Sequence, residues 1–200
     1  MIIIIDYGMG NLRSVQKSLE RNGFNALISS DPDKVKDAAG LILPGVGAFA
    51  DAMDNLINSG MAEAIKEFVK TGKPFLGICL GMQLMLTTSE ENGWYQGLDL
   101  IQGEVLKLPT SVKVPHMGWN TLKLTKEHPL IKGIEDGSYF YFVHSYYVST
   151  ANDDDTVALS HYGIDFCALM AKDNIMGVQF HPEKSSLLGQ VILKNFGRMV

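Results

Sequence analysis

The chain opens on four consecutive isoleucines, Ile2 to Ile5, stopped by Asp6. A β-branched run without polar alternation predicts a strand covered on both faces, as in a parallel sheet between helices. From Asn11 to Asn22 the period changes. Leu12, Val15 and Leu19 recur at spacings of three and four, which predicts an amphipathic helix with Asn11 as its cap and Gly23 as its stop. Phe24 to Ile28 reads as a second strand and Gly40 to Leu43 as a third. Between them Asp31-Pro32 opens a short helix through Ala38, with Asp31 as N-cap and Pro32 at the first helical position. Met61, Ile65, Phe68 and Val69 give one apolar face to a helix from about Met61 to Lys70. Gly72-Lys73-Pro74 then turns the chain into a strand, Phe75 to Ile78, which ends at Cys79, where another helix begins at once.

Beyond that point short apolar segments separated by turn clusters replace the alternation of helix and strand. They are Gly103 to Leu108, Thr121 to Leu124, Tyr139 to His144, Thr156 to His161, Phe166 to Ala171 and Ile175 to Phe180. These read as an antiparallel extension of the sheet, with a final helix, Leu187 to Met199, packed against it. No linker and no internal repeat interrupts the chain, so residues 1–200 read as one domain. Right-handed crossovers with helices on both faces give an α/β three-layer sandwich around a mostly parallel central sheet. Ligands collect at the carboxyl ends of parallel strands in such sheets. That rule points to Asp6-Tyr7-Gly8, to Pro44-Gly45-Val46-Gly47 and to Cys79.

Composition narrows the function classes. Of 200 residues 46% are hydrophobic and 20% charged, and 17 Lys and Arg face 22 Asp and Glu, for a net charge of -5. The longest block of like charge is Asp153 to Asp155, which argues against a nucleic-acid surface. The N-terminal apolar run is too short for a signal segment or a membrane span. With only Cys79 and Cys167 present, a reducing, cytoplasmic setting with free thiols is expected. Gly8-Met9-Gly10 lacks the third glycine of a dinucleotide fingerprint, no Walker lysine follows, and neither cysteine has zinc spacing to a histidine pair.

Gly77-Ile78-Cys79-Leu80-Gly81 is the cysteine form of a nucleophile elbow. A nucleophile projected from so sharp a turn needs glycines two before and two after it, because a Cβ there would meet the neighbouring strand or helix. The helix start beneath the sulfur would favour thiolate, and the Leu80 amide would face the same spot. The alternative is a small buried thiol. Phe180-His181-Pro182-Glu183 supplies a candidate base: in extended chain, i and i+2 project to one side, so His181 and Glu183 can face one pocket. Glu183 would then accept from one ring nitrogen and leave the other for the sulfur. A loop histidine beside a solvated glutamate is the alternative there. Pro44-Gly45-Val46-Gly47 can turn backbone N–H groups inward, an oxyanion hole in which Gly47 is completed by Leu80.

With these residues in place the chain resembles the class I, or triad, glutamine amidotransferases, whose fold is flavodoxin-like. The elbow and His-Pro-Glu fix only that class. Asp6 to Asn11, Pro44 to Gly47, Pro115-His116-Met117-Gly118-Trp119-Asn120 and Lys184-Ser185 resemble a narrower branch, the glutaminase subunits that feed a (β/α)8-barrel cyclase. The resemblance implies that L-glutamine is held over Cys79 by Gln83, Glu91 and the backbone around His144, Ser145 and Tyr146, and is hydrolysed through a thioester without metal or organic cofactor. It implies that the ammonia passes to the cyclase, which makes imidazole glycerol phosphate and aminoimidazole carboxamide ribotide in histidine biosynthesis, with Trp119, Asn120 and Lys184 in the contact surface. For Trp119 a core aromatic is the alternative. A paralogue serving surface-sugar amidation or amidination, a stand-alone cysteine hydrolase and an inactive binding module are the competing readings of the whole chain.

Overall fold

The computed structural model describes residues 1–200. The four isoleucines form β1 (Ile2–Ile5), buried along its whole length, so each side chain contributes about 1.5–3 kcal/mol of hydrophobic stabilisation. There follow α1 (Leu12–Arg21), β2 (Ala26–Ser29), α2 (Pro32–Lys36), β3 (Gly40–Gly45), α3 (Phe49–Asn58), α4 (Met61–Val69) and β4 (Phe75–Cys79). The second half comprises α5 (Leu80–Gln83), β5 (Thr88–Ser89), β6 (Tyr95–Gln96), β7 (Gly103–Lys107), β8 (His116–Thr121), β9 (Lys123–Leu124), β10 (Tyr139–His144), β11 (Tyr146–Thr150), β12 (Thr156–His161), β13 (Asp165–Lys172), β14 (Ile175–Val178) and α6 (Ser186–Met199).

The sheet runs β2-β1-β3-β4-β14-β13-β11-β7-β5-β6, with β12 and β9 joined at the side of β13. Its first five strands are parallel, and β13, β11 and β7 continue it antiparallel. Strand alternation builds the three layers. Ile3, Ile5, Leu41 and Leu43 point into a core with α2, α3 and α4, whereas Ile2, Ile4, Ile42, Leu76 and Ile78 point into another with α1 and α6. No helix is long and apolar enough to cross a membrane.

Several local expectations change. Asn11 occupies the cap of α1 but its side chain makes no capping bond, while Asp31 caps α2 through the Asp33 amide at 3.0 Å. The second strand starts at Ala26, because the Phe24 amide closes the end of α1 on Leu19 O. Helix α3 is an element the sequence reading passed over, although Phe49, Ala52, Met53 and Leu56 have helical spacing and are buried. Thr121 to Leu124 is two strands, broken where the buried Leu122 bonds Ser138 O. Tyr139 to His144 leaves the main sheet and pairs with β8 in a two-stranded ribbon.

The change that matters most concerns Ile175 to Phe180. Grouped from sequence with the antiparallel strands, this segment enters as β14 parallel to β4, with Val178 beside Ile78. Its carboxyl end therefore lies next to that of β4, and β3 flanks the other side with Gly45 level with Cys79.

Candidate active site

Three adjacent strand ends deliver the residues singled out above. At the end of β4, Cys79 has φ 55 and ψ -111, a conformation that L-residues rarely adopt. The flanking glycines make it possible. A Cβ on Gly81 would collide with the Leu43 carbonyl of β3, and one on Gly77 would lie 2.7 Å from Gly81 O. The helix beyond is shorter than expected, since α5 is a single turn of four residues. Leu84 still bonds Leu80 O, but Met85 and Leu86 close three-residue turns onto Met82 and Gln83. The thiol therefore gains little from a helix dipole, which grows with aligned peptides.

His181 follows β14, and its amide bonds Tyr141 O of β10 at 2.9 Å. Its Nδ1 lies 2.9 Å from Glu183 Oε1, with both side chains almost wholly buried. Nε2 has no hydrogen-bond partner of good geometry, and neither has Glu183 Oε2. Burial works against charge on His181, but interaction with the Cys79 sulfur and with Glu183 outweighs it and carries the imidazole pKa up to about 10. Cys167 lies elsewhere, buried in β13, and desolvation pushes its thiol up to about 12.

Cys79 and His181 line a cavity of about 340 Å³ together with Val46, Gly47, Leu80, Gln83, Glu91, His144, Ser145 and Tyr146. Gly47 has φ +107, and the Val46 and Gly47 amides make no hydrogen bond within the chain. Glu91 reaches the first residue of α3 through the Phe49 amide at 2.9 Å; burial, opposed by that bond and assisted by Asp51, raises its pKa. A wider groove of about 810 Å³ over Leu124 to Ile134 shares no residue with this cavity.

Gln83 is tied into the wall. Its Nε2 donates to Tyr146 O at 2.9 Å and to Gln179 Oε1 at 3.0 Å. The same Tyr146 carbonyl takes a bond from His144 Nδ1 at 2.8 Å, and His144 Nε2 lies 2.9 Å from His116 Nδ1. A carbonyl can only accept, so His144 carries its proton on Nδ1; Asn120 Nδ2, fixed as a donor by His161 O, lies 3.3 Å from His116 Nε2, so His116 accepts there and donates from Nδ1 to His144 Nε2. His144 is thereby neutral, desolvation lowering its pKa to about 3.

Two residues here escaped the sequence reading. His116 is buried and stacked between Phe142 and Tyr162. Gln179 is fully buried beside Cys79. It stands two residues before His181, where the extended-chain i, i+2 rule applies and would have found it; Glu183, by contrast, reaches His181 across a 3-10 turn over Pro182–Lys184 and not along the extended chain expected.

The residues expected at a partner surface divide. Trp119 is 52% exposed, so it is no core aromatic. It meets Tyr141 edge-on at 6.0 Å, and Lys184 Nζ lies 6.0 Å over the same ring. Asn120 alternates to the other side of β8, where its amide bonds His161 O at 2.9 Å, so its side chain does not join Trp119 and Lys184.

A sequence profile described as Glutamine amidotransferase class-I matches residues 3–200. The chain belongs to that family. It is 57% identical over 201 residues to the imidazole glycerol phosphate synthase subunit HisH of Methanosarcina acetivorans, covering 99% of this chain and 98% of that one. It is 54% identical over 200 residues to the HisH subunit of Caldanaerobacter subterraneus subsp. tengcongensis, covering 100% and 98%. At the level of fold it resembles the solved PurLQS of Thermotoga maritima, with a TM-score of 0.75 at 21% identity over 99% of this chain and 95% of that one. It also resembles in fold a solved glutamine amidotransferase, with a TM-score of 0.77 at 15% identity, covering 100% of this chain and 98% of that one.

Proposed function

We propose that this class-I glutamine amidotransferase, a HisH relative along its whole length, hydrolyses L-glutamine through Cys79 and hands the ammonia to a (β/α)8-barrel cyclase subunit. The cyclase would use it to make imidazole glycerol phosphate and aminoimidazole carboxamide ribotide in histidine biosynthesis. The observation that carries the reading is the meeting, in one cavity, of a strained, glycine-flanked Cys79 with a His181 whose Nδ1 is engaged by Glu183 and whose Nε2 is free.

Sγ attacks the side-chain carbonyl carbon of glutamine, and the Gly47 and Leu80 amides receive the developing oxyanion. Gln83, Glu91 and the Ser145–Tyr146 backbone hold the amino-acid end, with His144 bracing Tyr146. The C–N bond breaks as His181 Nε2 gives its proton to the leaving nitrogen, releasing ammonia and a γ-glutamyl thioester. Water, deprotonated by the same nitrogen, then cleaves the thioester to glutamate and regenerates the thiol. The elevated pKa of His181 lets it take and hold the proton of the sulfur. Much of the elevation is owed to Cys79, and that support vanishes when the sulfur acylates, so the proton departs when the leaving group needs it.

For the partner, the exposed side of the β8–β10 ribbon presents Met117, Trp119 and Tyr139, with Lys184 at its edge. An apolar, aromatic patch of this kind suits a protein contact better than water. Glutamate release by the chain alone and with the cyclase, together with labelling by a glutamine-like electrophile, tests the proposal. Label on Cys79 alone and a loss of about a thousandfold or more in Cys79→Ala are expected; label on Cys167 in its place overturns it.

A further inference from the structure

We infer that Gln179 is the hydrogen-bond donor that holds the reactive sulfur of Cys79 once it has lost its proton, and that Gln83 dictates which way Gln179 faces. The inference rests on Cys79 being the nucleophile. Gln179 is wholly buried just past β14, with Nε2 3.8 Å from Sγ.

The orientation of this amide follows from its neighbours. Tyr146 offers a carbonyl oxygen, which only accepts, so the end of Gln83 at 2.9 Å from it must be Nε2. The same Nε2 lies 3.0 Å from Gln179, which must therefore present its oxygen there. Its NH2 group is left with a single direction, toward the sulfur. The arrangement starts from a backbone atom and leaves no freedom for an amide flip. It also leaves Gln83 with only its Oε1 to offer a ligand, which suits the ammonium of an amino acid.

Apart from His181, which takes the proton, the other contact of the sulfur favours the opposite protonation state. The thiol can donate to Val143 O, also at 3.8 Å, and that bond exists only while the proton is on sulfur. When the proton moves from Sγ to His181 Nε2, Val143 O faces a bare anion. The Tyr7 hydroxyl, buried nearby, has no partner within the chain. Among these neutral groups Gln179 alone is held with its donor aimed at Sγ by a second bond, and a donor fixed in advance needs no reorganisation when charge develops.

Two substitutions keep the length of the side chain. Gln179→Met removes the donor, and Gln179→Glu keeps an acceptor for Gln83 but turns a carboxyl oxygen toward the sulfur. The probe is alkylation of Cys79 by iodoacetamide at neutral pH without glutamine, read by mass spectrometry with buried Cys167 as internal control and thermal melting as the check on folding. Donors to an anion are worth enough that alkylation should slow about tenfold or more in Gln179→Met and further in Gln179→Glu. With glutamine, kcat should fall in parallel while KM changes less. Alkylation at the unmodified chain's rate in either folded variant overturns the inference. A third measurement needs no substitution: the Gln179 side-chain NH2 resonances should move when Cys79 is alkylated, and unmoved resonances overturn it too. Absence of glutamine turnover in the unmodified chain with its partner would sink the glutaminase reading and leave this comparison of alkylation rates standing.

Discussion

The strand ends that carry Cys79 and His181 differ in kind from the ribbon of β8 and β10 beside them. At the strand ends packing constrains every residue around the cavity: Cys79 has a left-handed φ, Gly81 has no room for a Cβ, and Gln179 and His181 are almost wholly buried. The ribbon has one buried side, with His116, Phe140, Phe142 and His144, and one exposed side, with Met117, Trp119 and Tyr139. Packing dictates the residue types in the first region. It dictates only half of them in the second, and the apolar remainder calls for a reason outside the folded chain.

The largest effect should come from closing the space that the elbow depends on. In Gly81→Ala the new methyl meets the Leu43 carbonyl, a backbone atom in the middle of the parallel sheet that cannot swing aside. We expect a loss of about 4 kcal/mol or more in urea unfolding, or failure to fold. A stable, active Gly81→Ala protein would show that the elbow tolerates a different path and that its glycines are not required by packing.

The same contrast explains what could be read in the sequence. The parallel half, α3 excepted, was legible because continuous apolar runs and helical spacing each have one solution there, and Ile2 to Ile5, Asp31-Pro32 and Phe75 to Cys79 form the elements expected. The glycines around Cys79 were legible for the same reason, their need being steric and local. The pairing of β14 with β4 was not, because a short apolar run carries no mark of direction and its neighbour lies about a hundred positions away in the chain. The ribbon was obscure because the alternation in Tyr139 to His144 shows which residues are buried but not against which strand. Gln179 carries neither charge nor nucleophilicity, so its i, i+2 spacing from His181 drew no attention, and its role is given by its neighbours.

Two histidines sit where the regions join, and they should move stability with pH in opposite senses. His181, raised to about 10 despite its burial, is favoured in its protonated form by the fold. Its contribution is fully present below the unfolded value near 6.5 and is lost as pH rises through the folded value. His144, which ends β10, is lowered by desolvation to about 3, with His116 and His181 adding repulsion and the Tyr146 carbonyl opposing. Its contribution is present above about 6.5 and lost as pH falls toward the folded value. Each effect should be on the order of 2–4 kcal/mol. Melting temperatures across pH should show a flatter alkaline limb in His181→Gln and a flatter acid limb in His144→Gln. Curves parallel to that of the unmodified chain would mean that neither imidazole is held as its surroundings imply.

The smallest effect on folding should come from the exposed side of the ribbon, where the effect on assembly should be greatest. Trp119 is half exposed and touches Tyr141 only at its edge, so Trp119→Ala removes little packing and should change stability by no more than about 0.5 kcal/mol. Tyr141 is nonetheless connected to the candidate site: its carbonyl accepts the His181 amide at 2.9 Å, and its own amide donates to Ser185 Oγ at 3.0 Å, which in turn bonds His181 O. A partner pressing on Trp119 would therefore bear on the backbone that aims His181. A central aromatic residue of an interface typically carries 2 kcal/mol or more of the binding energy. Affinity for the cyclase should thus fall about thirtyfold or more in titration calorimetry, while glutamate release by the chain alone stays as it was. Unchanged affinity would place the cyclase on another face, and a large loss of stability would make the exposed side of the ribbon as much a part of the folding core as the strand ends beside it.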